Sequence, residues 1–201
     1  TIRKGDQAHR MAIFAAMMEQ MDRGIGKVIK QLESTNQLDD TLIFFLSDNG
    51  ANYEGGPFGS DGPFSGEELE SMGQKETRHH QAAHWAAVGN TPFKLYKHFN
   101  HEGGIHTPMV MHWPNGITRK GELESQRGHV IDIMATIVDL TGATYPKRRL
   151  GHDILPMEGT SLLPALNGQK LEDRVLCFEH EANRAIFKDQ YKLVSKNFTS
   201  T

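Results

Sequence analysis

The sequence predicts an α/β fold, with parallel-sheet strands and flanking helices, followed by the start of a small antiparallel sheet at the C-terminal end. Three observations carry that prediction. Apolar residues recur at steps of three and four between residues 8 and 32. The segment Thr41–Leu46 is apolar without alternation. The tail breaks into short apolar runs at 175–179, 184–188 and 191–195. The first pattern is an amphipathic helix, the second a strand covered on both faces, and the third a set of strands joined by tight turns.

The helix places Met11, Phe14, Ala15, Met18, Met21, Ile25, Val28, Ile29 and Leu32 on one face. Gly24 and Gly26 each weaken it by roughly 1 kcal/mol relative to alanine, so close packing is expected there. After the loop "STNQLDD" and the first strand, residues 51–90 lose periodicity, and the Gly- and Pro-rich "YEGGPFGSDGPFSG" reads as part of a long functional loop. Order returns with "TPFKLYKHF". Pro108–Trp113 reads as a second strand, and Val130–Leu140 as a helix closed by Gly142. "EGTSLLPAL" reads as a short helical turn, and "HEAN" and "KDQ" separate the final strands. The expected division is an α/β part over 1–168, containing the 51–90 loop, and an antiparallel part over 169–201.

Bulk properties exclude several classes. At 201 residues the chain is long enough for one sizeable core. A net charge of −3 with no basic stripe argues against nucleic acid as a partner. No apolar run approaches the ~18 residues that a membrane span needs, and the opening "TIRKGDQAHR" has no signal-peptide character. The single cysteine, Cys177, excludes an internal disulfide. Seven of the eleven histidines lie between His79 and His112, which points to a polar site in that region.

Ligands of open parallel sheets sit beyond the carboxyl ends of the strands, and Asp48, Asn49 and Gly50 occupy that end of the first strand. A carboxylate and an amide carbonyl are hard oxygen donors suited to calcium or magnesium, although the same triplet is ordinary turn chemistry. Calcium needs six to eight oxygens, so other donors are required. The segment from Asp48 is not an EF-hand, because Gly50 and Tyr53 fall where a ligand and the glycine belong. "HEGGIH" has the wrong spacing for a zinc-protease helix. His80 and His84 have i,i+4 spacing but no third ligand, and surface histidines account for them better. Lys97, with His98 and His101 close by, precedes a Gly-Gly turn. A lysine there is able to hold an anionic oxygen such as sulfate or phosphate, and is equally a solvated lysine at a helix end.

"TLIFFLSDNG", "LYKHFNHEGGIHTPMVMHWPNGI", "HVIDIMATIVDLTGATYP" and "MEGTSLLPAL" occur in an order and spacing that resemble the type I sulfatases. "LCFEHEANRAIFKDQYKLV" looks like the first strands of that family's small C-terminal domain, so the chain resembles the C-terminal half of an arylsulfatase-like enzyme. The resemblance implies an alkaline-phosphatase-like fold and hydrolysis of sulfate esters. It also implies a calcium ion and a formylglycine made from a Cys or Ser in a C/S-x-P-x-R motif. Carried over by motif, Asp48 and Asn49 would be two calcium ligands and Lys97 would contact the substrate sulfate. His98 and His101 are candidates for the general acid by proximity, although in this family the main acid usually lies in the other half. Glu102 of "EGG" reads as a turn-fixing residue. Glu179, His180, Asn183 and Arg184 of "EHEANR" are candidates to overhang the pocket and read the substrate, or are simply a polar surface hairpin.

The sequence also departs from the family pattern. Cys177 is followed by "FEHEA", without the proline or arginine, and no serine fits the motif. The nucleophile and two further aspartate ligands are expected from the family's N-terminal half. The chain is therefore expected to be a fragment that is inactive by itself and has that half as its partner. A sulfated small molecule or glycan is the expected substrate, and a periplasmic or secreted location follows by analogy. The rival readings are a phosphatase or phosphodiesterase of the same superfold, and a non-catalytic binding module.

Overall fold

The computed structural model describes residues 2–59, 67–77 and 79–197. Helix α1 (Ile2–Ser34) leads through a 3-10 turn (Leu38–Asp40) into β1 (Ile43–Leu46). Two short helices, α2 (Glu67–Ser71) and α3 (Ala83–Gly89), lie within the loop expected over 51–90. Then come α4 (Glu102–Ile105), β2 (Met109–His112), α5 (Asp132–Thr141), β3 (Arg148–Arg149), β4 (His152–Asp153) and α6 (Leu163–Leu166). The chain finishes with β5 (Leu176–His180), β6 (Asn183–Lys188) and β7 (Tyr191–Ser195). β1 pairs with β2, β3 with β4, and β5-β6-β7 form one sheet.

The residues group into two compact units. One comprises Thr1–Gln37, Phe44–Val110 and Arg174–Thr201; the other comprises Leu38–Ile43 and Met111–Asp173. Contacts thus group the antiparallel sheet with the α1 unit, whereas the expected boundary at 168/169 follows the change in sequence character.

In the first unit α1 is anchored near its start. Arg10 Nε donates to Asp6 Oδ1 at 3.0 Å, one helical turn away, and the two residues are 3% and 0% exposed. Removing one partner of a pair this buried strands the other charge, at a cost of roughly 3–5 kcal/mol. Arg10 Nη1 also donates to the His80 carbonyl at 2.8 Å, and Trp85 Nε1 on α3 donates to the Gln7 carbonyl at 2.9 Å. The α1 face carrying Phe14, Met18, Met21 and Val28 is substantially exposed within this chain. Gly24 and Gly26 face open space, so the close packing expected at them is not found. Phe45 of β1 is likewise exposed, whereas Ile43, Phe44 and Leu46 are half-buried, so the strand is not covered on both faces as its lack of alternation predicts.

The antiparallel sheet follows the tail pattern closely. Leu176 faces Phe187 and His180 faces Asn183 across β5–β6, and Arg184 faces Ser195 across β6–β7. Glu181 and Ala182 form the two-residue β5–β6 turn, with φ of 51° and 61°. Two positive φ angles define the type I′ turn that matches strand twist, normally filled by Asn-Gly.

In the second unit the buried Asp132 opens α5. Its Oδ2 accepts the His129 N–H at 2.7 Å, and its Oδ1 accepts the Thr160 N–H at 2.9 Å. Thr136 Oγ1 donates to the Asp132 carbonyl and accepts the Leu162 N–H, so α5 is bonded to the segment 160–162 that precedes α6. Gly142 ends α5 in the left-handed conformation, as its position predicts.

Candidate functional site

The tip of β1 docks on the turn around α4 backbone to backbone. Gly50 N donates to the Gly104 carbonyl at 2.9 Å, and Lys97 N donates to the Ala51 carbonyl at 3.1 Å. A Cβ on Gly50 would collide with the Gly103 carbonyl, and one on Gly103 with the Leu95 carbonyl. The glycines of Asp-Asn-Gly and Glu-Gly-Gly are therefore required by the contact between the two segments. Asn90 completes the junction: its Oδ1 accepts the Ala51 N–H at 3.2 Å, and its Nδ2 donates to the Leu95 and Gly103 carbonyls at 3.0 and 2.8 Å.

Asp48 is exposed and Asn49 half-buried at this tip. Asn49 Nδ2 donates to the Gly50 carbonyl at 3.0 Å, so the remaining polar atom of the amide is Oδ1, the donor that a hard cation takes. Two adjacent hard oxygens fit calcium as part of a larger shell. Formylglycine has no such fit in this chain, because Cys177 is exposed in the middle of β5, opposite Ile186.

Lys97 Nζ lies 3.3 Å from Glu54 Oε1, and the same oxygen lies 3.3 Å from His98 Nε2. Asn52 Nδ2 donates to the other Glu54 oxygen at 3.0 Å. The Asn52 amide, then His98, then Lys97 hold the Glu54 carboxyl down to about 2, so it is ionised and acts only as an acceptor at neutral pH. On its other edge, His98 Nδ1 meets Glu181 Oε2 at 3.1 Å and His180 Nε2 at 3.2 Å. His98 has a φ of 77°, a left-handed conformation that is costly for a residue with a Cβ.

Asn183 ties the hairpin to this loop. It is 2% exposed; its Nδ2 donates to the His98 and His180 carbonyls at 3.2 Å, and its Oδ1 accepts the Asn197 N–H at 3.0 Å. Glu179 Oε1 accepts the Ala182 N–H at 2.8 Å, which braces the turn from within. The structure thus brings His180 and Asn183 to His98. Arg184 is exposed and alternates away from the buried Asn183 and Ala185, so it is not brought to that cluster.

His101 stands apart, on a cleft of about 470 Å³ shared with Lys94, Leu95, Val194, Ser195 and Lys196. Its Nδ1 is buried without a hydrogen-bond partner among the described residues. Burial, then Lys94, Lys192 and Lys196, push its pKa below the usual value and keep the ring neutral at pH 7. Glu102 lies beside it, bonded to Lys192 and, at 2.6 Å, to His106 Nδ1. Burial raises the Glu102 pKa, but the Lys192 ammonium and His106 outweigh it and leave it lowered. Glu102 therefore fixes the turn to β7, in keeping with its structural reading.

Glu54, Asn90 and Glu181 were not apparent as site residues from the sequence. Each acts on a partner tens of residues away, and no motif spacing marks them. His84 lies in α3 and stacks on Phe58, whereas His80 precedes that helix, so the two do not form a helical metal pair.

The Sulfatase family model matches residues 3–143, and the model for the C-terminal region of N-sulphoglucosamine sulphohydrolase matches residues 93–199. The chain belongs to the sulfatase family. This sulfatase chain is 33% identical over 157 residues to an arylsulfatase of Klebsiella aerogenes, an alignment covering 76% of the chain and 34% of that relative. It is 29% identical over 161 residues to the human N-acetylgalactosamine-6-sulfatase, covering 80% of the chain and 24% of the relative. The chain thus spans about a third or less of the length of these two curated relatives. A solved structure, described under the metabolism of multiple glycosaminoglycans by Bacteroides thetaiotaomicron, superposes with a TM-score of 0.57 at 22% identity. It covers 88% of the chain and 32% of that structure, and supports the α/β sulfatase fold. Among the described residues of this sulfatase, no helix is long and apolar enough to cross a membrane.

Proposed function

We propose that this chain forms part of the calcium- and sulfate-binding side of a sulfuric ester hydrolase, with the nucleophile supplied by another part of the polypeptide. The observation that carries the reading is the backbone docking of Gly50 on Gly104 and of Lys97 on Ala51, which joins the segment carrying Asp48 and Asn49 to the loop carrying Lys97. Asp48 and Asn49 donate two oxygens to the calcium ion. A bound calcium, with a formylglycine made elsewhere in the polypeptide, supplies charge balance and the attacking oxygen.

Lys97 faces the transferred sulfuryl group. Its ammonium has three protons and gives one to Glu54, which leaves two for sulfate oxygens whose charge grows in the transition state. Glu54 sets the position of Lys97 and His98 through a single carboxylate oxygen. Neither nearby histidine is assigned the proton of the leaving alcohol. His98 has both ring nitrogens engaged, and His101 is held neutral. We assign that proton to a group outside this chain. The hairpin contributes to recognition of a sulfated sugar through the exposed His180 and Arg184, with Asn183 and Glu179 bracing it, and the intact enzyme acts outside the cytoplasm on sulfated glycans.

The test is a rate comparison of the full-length protein on matched aryl sulfate and aryl phosphate esters, with and without a calcium chelator. Calcium-dependent sulfate hydrolysis is expected, and Lys97→Ala should reduce kcat roughly 100-fold or more. Faster hydrolysis of the phosphate ester, or a Lys97→Ala variant with unchanged kcat, would overturn the reading.

A further inference from the structure

The hairpin carries a feature that sulfate recognition leaves unexplained. His98 Nδ1, His180 Nε2 and Glu181 present three ligand atoms within 4.8 Å of one another. Individual separations are 3.1 Å from His98 Nδ1 to Glu181 Oε2, 3.2 Å from His98 Nδ1 to His180 Nε2, and 3.9 Å from His180 Nε2 to Glu181 Oε1. Ligands at about 2.0–2.2 Å from a tetrahedral ion are roughly 3.3–3.6 Å apart, so this triangle needs only small side-chain movements to close on one.

The two ring nitrogens of His98 face different partners. Nε2 lies 3.3 Å from Glu54 Oε1, and Nδ1 faces Glu181 Oε2 and His180 Nε2. With Nε2 donating to Glu54, Nδ1 is the atom free to join the other two as a ligand, and a cation between the three atoms would take all of them. The Glu54–His98 bond is itself the device by which metal-binding histidines are oriented, with the non-ligating N–H given to a carboxylate. Three residues of this cluster and its turn, His98, Glu181 and Ala182, are held at φ between 51° and 77°, and Asn183, Glu179 and Asn197 brace them there.

We propose that His98, His180 and Glu181 form a zinc-type metal site, with Glu54 as the outer carboxylate that orients His98. The site is distinct from the hard-oxygen pair Asp48 and Asn49. Two imidazoles and one carboxylate favour zinc over calcium. His180 and Glu181 are each 55% exposed, so the fourth position opens to solvent and to an anionic or hydroxylated ligand. The inference does not depend on the sulfate-ester reading, because the metal is read directly.

The experiment is calorimetric titration of the chelator-stripped full-length protein with Zn2+ in excess Ca2+, alongside the visible absorption of the Co2+-loaded protein. One zinc per chain and an intense tetrahedral cobalt spectrum are expected. His180→Ala and Glu181→Ala should each abolish that binding, and both side chains are exposed enough for the fold to survive. Glu54→Gln should weaken it roughly 10- to 100-fold. The exposed His152→Ala serves as a control and should change nothing. Failure of the wild type to take up zinc would overturn the proposal, and so would a zinc or cobalt signal unchanged in His180→Ala.

Discussion

Asn100 Nδ2 donates to the Asn183 carbonyl across 2.8 Å, with the two residues 4% and 2% exposed. This buried bond links the loop carrying Lys97 and His98 to the C-terminal hairpin, over 83 positions of sequence. Asn183→Ala keeps that main-chain carbonyl but removes the three bonds of the Asn183 side chain, two to carbonyls and one from Asn197 N. It should cost about 2–3 kcal/mol, measured by denaturant unfolding of the full-length protein. Asn183→Asp keeps the acceptor but loses the donor, and should fall between wild type and alanine. Equal stability of the alanine variant and wild type would remove this bond network from the account.

Gly50→Ala should be among the most damaging single-methyl changes in the chain. The added Cβ meets the Gly103 carbonyl, and backbone on both sides leaves no flexible side chain to give way. A loss of more than about 4 kcal/mol, or failure to fold, is expected. Gly26→Ala, in open space on α1, should instead stabilise by up to about 1 kcal/mol. Thermal melts of the two variants side by side check both statements.

The pH dependence of Glu54 follows from its lowered pKa. On acidification the unfolded chain takes up the proton first, near 4.5, while the folded carboxyl resists to about 2. Its contribution to stability is thus complete above pH 4.5 and disappears as pH falls through about 2. The Glu54 side chain is 42% exposed, so the effect is modest and shrinks with added salt. Melting curves of wild type and Glu54→Gln should converge across that window at low ionic strength. Curves that stay parallel through it would contradict the assignment.

Asp132→Ala strands the His129 and Thr160 N–H groups in the second unit. Bonds to a charged acceptor are worth about 1.5–3 kcal/mol each, so a loss of at least about 2 kcal/mol is expected. Thr136→Val removes the Leu162 N–H acceptor and should cost about 1 kcal/mol. Proteolysis near residues 160–162 should accelerate in both variants, and a digestion pattern identical to wild type would count against this link.

The sequence made visible what depends on local periodicity or on glycine and turn chemistry. The end of α5 at Gly142 and the three tail strands with their "HEAN" and "KDQ" turns emerge within a residue or two of expectation, whereas α1, expected over 8–32, begins six residues earlier at Ile2. The sequence shows Gly50 only as a glycine at the end of the first strand; the need for it lies in the Gly103 carbonyl across the junction. The partners that organise the site were hidden for the same reason. Glu54 reaches His98 from 44 positions away, and Glu181 reaches it from 83, with no repeat to announce either contact. The pattern also misled at Gly24 and Gly26, because a glycine in a helix signals either close approach or mere tolerance, and sequence does not separate the two.

The β5–β6 turn has a consequence for anyone selecting for robustness. Glu181 and Ala182 sit where Asn-Gly is the unstrained choice, so Ala182→Gly should relieve up to about 1 kcal/mol of backbone strain and leave the His180 and Glu181 side chains intact. Replacing both residues by Asn-Gly would be more stable still, yet it would delete the carboxylate that faces His98. A heat-challenge library scored on survival alone would therefore drift toward a hairpin that is sturdier and chemically mute. Heat resistance and ligand capture pull this two-residue corner in opposite directions.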